Sequence, residues 1–213
     1  MGFKRYGSIA ALGTALALLA GCGGTEDSAA GPLDKKQVQS VLPDGEAVPG
    51  WKVGLRDAAE PLPKISRAGV CGVAEEKKTA CDGLRFYTQG SYTPPGAPYS
   101  VTVTVLAAED ADGAQPAYDF LWKRVSESVA KPQKLDAGDL GDERGAVRSD
   151  YGSRGGPVAH VQVRVGATVL QISGEAAADK KVDLDTLVDL AAVVSERAGQ
   201  AAGGDTPSAA LGD

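Results

Sequence analysis

The side chains able to do chemistry in this chain are few: a single histidine, a loop of carboxylates, a glycine-rich turn and three cysteines. A hydrolytic site needs base, nucleophile and orienting carboxylate to converge. No nucleophile elbow or comparable spacing surrounds His160, so it reads as a surface or groove-lining imidazole, and no catalytic residue is expected. A histidine-based metal centre lacks further ligands for the same reason. Asp136, Asp139, Asp142 and Glu143 could offer oxygens to calcium. Their three-residue spacing departs from the alternating ligands of an EF-hand, and the interleaved Gly138, Gly141 and Gly145 point to turns. Neither a metal nor a cofactor is expected. The segment Tyr151-Gly152-Ser153-Arg154-Gly155-Gly156 leads into a strand rather than a helix, which leaves it without a phosphate-binding amide cradle and marks a mobile loop.

The cysteines carry more. Lys4 and Arg5 precede an apolar run from Ile9 to Ala20, the charge order and length of a secretory leader. At about a dozen residues the run is too short for an ordinary transmembrane helix. It ends in Leu19-Ala20-Gly21-Cys22, which matches the lipobox of bacterial lipoproteins. Cleavage is therefore expected between Gly21 and Cys22, with diacylglycerol on the Cys22 thiol and its two acyl chains as a stable membrane anchor. That address, the outer face of the cytoplasmic membrane, is oxidising. Cys71 and Cys81 are left as an even pair and are expected to form a disulfide, since their spacing is not that of a CxxC motif and no histidine lies near.

The full chain of 213 residues has a net charge of −6, and loss of Lys4 and Arg5 with the leader would make it −8. Acidic residues are spread along it, which argues against nucleic acid and against adhesion to anionic lipid, because both use clustered Lys and Arg. The organisation expected is a leader over 1–21, a lipidated and flexible tether over 22–32, one domain over 33–199 and a disordered tail over 200–213.

Elements must position whatever site exists. Asp34 and Gln37 have capping-box spacing, Leu33 can staple onto Val38, and Pro43 ends that helix. Trp51, Val53 and Leu55 alternate as a first strand. Leu84, Phe86 and Thr88, then Tyr99 to Val105, read as a hairpin around a proline-rich loop. From Asp112 to Val129 apolar residues recur at helical spacing, with Pro116 tolerated near the start. Val161, Val163 and Val165 lead through Gly166-Ala167 to Thr168, Leu170 and Ile172, a second hairpin whose register puts every apolar partner on one face. Residues 144–151 read as one more strand, and Asp183 caps a final apolar-faced helix. The fold class expected is α+β: a single curved antiparallel sheet with helices packed on one face.

Trp51, Tyr118 and Trp122 fall on apolar stripes and read as core. The open sheet face and its loops then supply a candidate groove: Tyr92, Tyr99, His160, Gln162, Arg164 and Gln171.

Several short runs carry a resemblance. Val41-Leu42-Pro43 with Pro49-Gly50-Trp51, the cysteine pair, the passage from Val103 to Tyr118, Leu140-Gly141-Asp142-Glu143 and Val163-Arg164-Val165-Gly166 look like actinobacterial lipoproteins and the PknH-like extracellular sensor domains of membrane kinases. The resemblance covers residues 33–199. It implies an antiparallel sheet with helices, a groove for an unidentified ligand and no catalytic activity, and it transfers no functional residue. Sensor domains of that type carry two disulfides, whereas this chain can form one. The function expected is a membrane-anchored, non-catalytic sensor or ligand-binding module, with a lipid carrier of the cell envelope as the alternative. Its partners would be the membrane, through diacylglycerol on Cys22, and a small ligand or envelope protein. A hydrolase, the third reading, would need activity that depends on His160 or an acidic pair.

Overall fold

A computed structural model describes residues 31–62, 70–71, 79–152 and 155–212. Gly21, Cys22 and the leader lie outside them, as do Ser153 and Arg154 of the glycine-rich loop. Helix α1, Lys35–Val41, begins at Asp34, whose carboxylate accepts from the amides of Lys36 and Gln37 while the Gln37 side chain accepts from the Asp34 amide. This is the reciprocal capping box that the sequence predicts. Then come β1 (Lys52–Arg56), β2 (Glu60–Pro61), a 3-10 turn at Thr79–Cys81, β3 (Leu84–Thr93), β4 (Ser100–Ala108) and helix α2 (Ala111–Ser128). The second half holds β5 (Gln133–Leu135), β6 (Glu143–Ser149), β7 (Val158–Val165), β8 (Thr168–Glu175) and helix α3 (Leu184–Ala202).

The strands form one open antiparallel sheet in the order β1-β3-β4-β8-β7-β6-β5, with β2 paired to β3 beside β1. The α+β class and the single antiparallel sheet are those expected. In the β7–β8 hairpin Val165 pairs with Thr168, Val163 with Leu170 and Val161 with Ile172, the register that alternation demands. Gly166 has a φ of 54° while Ala167 stays negative, which makes the turn type II′.

The helices, however, divide between both faces of the sheet, which corrects the expectation of one helical face. Val101, Val103 and Val105 of β4 and Leu170 and Ile172 of β8 pack into one cluster with Leu187, Leu190 and Val194 of α3 and with Val38 and Val41 of α1. Leu106 and Val169 point the other way, onto Ala114, Ala117, Tyr118 and Leu121 of α2. A strand buried on both faces keeps apolar residues at consecutive positions, and Val105-Leu106-Ala107-Ala108 is such a run.

Other expectations shift for local reasons. Leu55 is 73% exposed, because the β1–β3 register slips between Val53 and Arg56 and turns it outward. A second irregularity, between Leu84 and Phe86, sends Leu84 to the α2 side and Phe86 to the α3 side, so the two do not share a face. Gly145, read as a turn residue, lies inside β6, where a Cβ would sit 2.6 Å from the Trp122 ring. Pro116 falls inside α2, which continues through it. The chain beyond α3 was expected to be disordered. Instead it returns to the body: Leu211 donates to the Ala47 carbonyl, Ser208 to the Gln200 side chain, and Ala209 is buried. No described helix is long and apolar enough to cross a membrane.

Candidate functional site

Helix α2 covers only part of its sheet face. Beyond its last turn lies an open cleft of about 730 Å³, floored by β4, β8 and β7. Antiparallel pairing sets the floor in rows. In one row Thr102 stands opposite Ser173, and Ser173 opposite His160. In the next, Ser100 faces Glu175 and Glu175 faces Val158. Directly opposed side chains stand about 4.5–5.5 Å apart at Cβ, so the first row is one contiguous polar strip, and the second is polar from Ser100 to Glu175 and ends in the apolar Val158. Thr93 of β3 extends the second row, its hydroxyl 3.2 Å from that of Ser100.

Ser128 and Val129, at the end of α2, form one wall. The Ser149 hydroxyl donates to the Ala130 carbonyl, and Ala130 bridges to Tyr151, which ties this wall to β6. Lys131 follows with a φ of 50°, and its ammonium lies 5.0 Å from the Tyr151 ring centroid. The opposite rim is the β3–β4 loop, where Pro98 and Tyr99 reach the cleft.

Burial holds the His160 imidazole down at about 4, against a smaller opposing pull from the Glu175 carboxylate. At neutral pH His160 is therefore uncharged and offers one donor and one acceptor. Among the described residues no hydrogen bond joins it to a hydroxyl.

Two of the sequence-derived groove residues, Tyr99 and His160, line this cleft. Tyr99 does so while 7% exposed, with its hydroxyl accepting from the Asp183 amide. The other four lie elsewhere. Tyr92 is 1% exposed, because β3 extends to Thr93 and alternation turns the ring into the α3-side core, where its hydroxyl donates to the Pro43 carbonyl. Burial pushes that phenol up to about 12. Gln162 is roofed by α2 and donates to the Tyr118 carbonyl, while Gln171 donates to Gln162. Arg164, at the far end of β7, is clamped by Glu143 at 2.9 Å and Asp142 at 3.2 Å. The open part of the sheet was thus narrower than its polar pattern implied, because α2 takes the other half.

The residues missed were Thr93, Ser100, Thr102, Ser173 and Glu175. Their signal was present, as polar residues in the alternating runs of β4 and β8 and, for Thr93, at the end of β3, but strand pairing is needed to align them. The acidic loop is otherwise engaged: the Asp142 carboxylate also accepts from the Gly166 amide, Glu143 from Gln115, and Asp139 pairs with Arg144. Cys71 and Cys81 are joined in a disulfide, with Cα atoms 6.3 Å apart, and both are buried against the α2-side core.

No protein-family model matches the chain, and no curated protein matches it. Among solved structures it is similar to the extracellular domain of PknH from Mycobacterium tuberculosis, at 11% identity and a TM-score of 0.48, over 83% of this chain and 100% of that one. It is also similar to an uncharacterised protein from Mycobacterium smegmatis, the ortholog of Rv0999, at 12% identity and a TM-score of 0.46, over 79% of this chain and 98% of that one.

Proposed function

We propose that this chain is an extracytoplasmic lipoprotein, anchored through Cys22, whose domain is a non-catalytic sensor or ligand-binding module. The observation that carries the reading is the cleft beyond α2, whose polar floor is held by strand pairing rather than by mobile loops. A site of this size falls within the range of about 300–1,000 Å³ usual for small ligands. The lipobox supplies the compartment, and the paired Cys71 and Cys81 fit it.

A lipid carrier would need a continuous apolar cavity, whereas the sheet here is open and its cleft is lined by hydroxyls. Native mass spectrometry of the full chain, purified from its host in mild detergent, tests the reading. A binding module should carry one small polar ligand per chain and lose it in the Thr102→Val variant. Stoichiometric acyl lipid held beyond the Cys22 modification would mark a carrier instead. Turnover in a broad hydrolase screen that vanishes with His160→Ala would replace both with an enzyme.

A further inference from the structure

We propose that the cleft takes a neutral, polyhydroxylated ligand, a saccharide unit. The inference rests on the binding-module reading and deepens it. Ser100, Thr102 and Ser173 place hydroxyls on the floor, with Thr93 at one margin and Ser128 in the wall. The Thr102 and Ser173 hydroxyls are each donor and acceptor. The Thr93 and Ser100 hydroxyls share one bond between them, and Ser128, whose proton goes to the Val125 carbonyl, adds an acceptor. The surface thus matches a ligand whose own groups both donate and accept. Pairing across strands and alternation along them set these groups on a grid of about 5 by 7 Å, on the scale of a sugar ring. His160, neutral, adds one donor and one acceptor.

Other ligand classes fit less well. An anion finds no Lys or Arg among the described lining residues and meets the Glu175 carboxylate instead. A cation finds only Glu175, which already has a partner of its own. An acyl chain would bury the floor hydroxyls without partners, which costs free energy at each one. The aliphatic lining, Ala97, Pro98, Val129 and Val158, is small and suits the C–H face of a ring.

The test is a calorimetric titration of the full-length chain in detergent with glucose, N-acetylglucosamine, cellotetraose and chitotetraose. Inorganic phosphate, choline chloride and sodium decanoate are run in parallel. The proposal expects saturable binding of at least one neutral saccharide. Thr102→Val and Ser173→Ala, each removing a floor hydroxyl without changing strand geometry, should together weaken it about tenfold. Leu55→Ser, on the distant edge strand, should leave it unchanged, and unaltered circular dichroism of each variant separates lost contacts from lost folding. Binding of phosphate, choline or decanoate without any saccharide overturns the ligand class and leaves the binding module standing. Silence across all seven probes overturns the saccharide proposal and counts against the module as well.

Discussion

At the scale of single residues, His160 and Arg197 are the groups whose burial has measurable consequences. His160 titrates near 4 in the fold against an ordinary value of 6.5. Between those values the unfolded chain binds the proton more readily, so the His160 contribution to stability is complete above about pH 6.5 and is lost as pH falls toward 4. Denaturant unfolding from pH 7 to 4 should show this slope in the wild type and a shallower one in His160→Gln; superimposable curves would contradict the burial argument. Arg197 is 5% exposed and donates to the carbonyls of Ser40, Val41 and Ala209. It thereby places a cation against the last turn of α1 and holds the returning tail in the same fork. Arg197→Ala strands three carbonyls and should cost about 2–4 kcal/mol in urea unfolding, with faster amide exchange around Ala209. Arg197→Lys should recover little of this, because an ammonium cannot reproduce the planar fork.

At the scale of elements, one close approach and one covalent link set the half of the molecule that α2 organises. Trp122 packs over Gly145 so tightly that a Cβ there would lie 2.6 Å from the ring. Gly145→Ala should therefore destabilise by about 1–3 kcal/mol, and Trp122→Leu should relieve part of that in the double variant. The disulfide closes a loop of sequence separation 10. Converting both cysteines to serine should cost about 2.5–3 kcal/mol in the chain-entropy account, measurable as a lowered denaturation midpoint. What the sequence made legible follows the same logic. The α1 capping box and the β7–β8 register were readable because local geometry alone decides them. Leu55, Tyr92 and Gly145 were misplaced because a bulge, a strand longer than its apolar run and a helix crossing the sheet are set by distant partners. The candidate groove was half legible for that reason: alternation shows which side chains share a face, but not which part of that face α2 covers.

At the scale of the whole molecule, the two sheet faces do different work. The α3 side, with α1, carries the larger apolar cluster, and the α2 side is divided between core and open cleft. A rigid floor with an uncovered polar end is suited to holding a ligand without reorganising, so the apo and bound chains should differ little in backbone. The proposed placement of that domain outside the cell rests on the first residues of the chain. Intact-mass analysis of the protein purified from its own host tests this account most directly. The account predicts a chain beginning at Cys22, heavier than the bare polypeptide by a diacylglyceryl group or more. A chain that begins at Met1, or one that begins at Cys22 with an unmodified thiol, would contradict it.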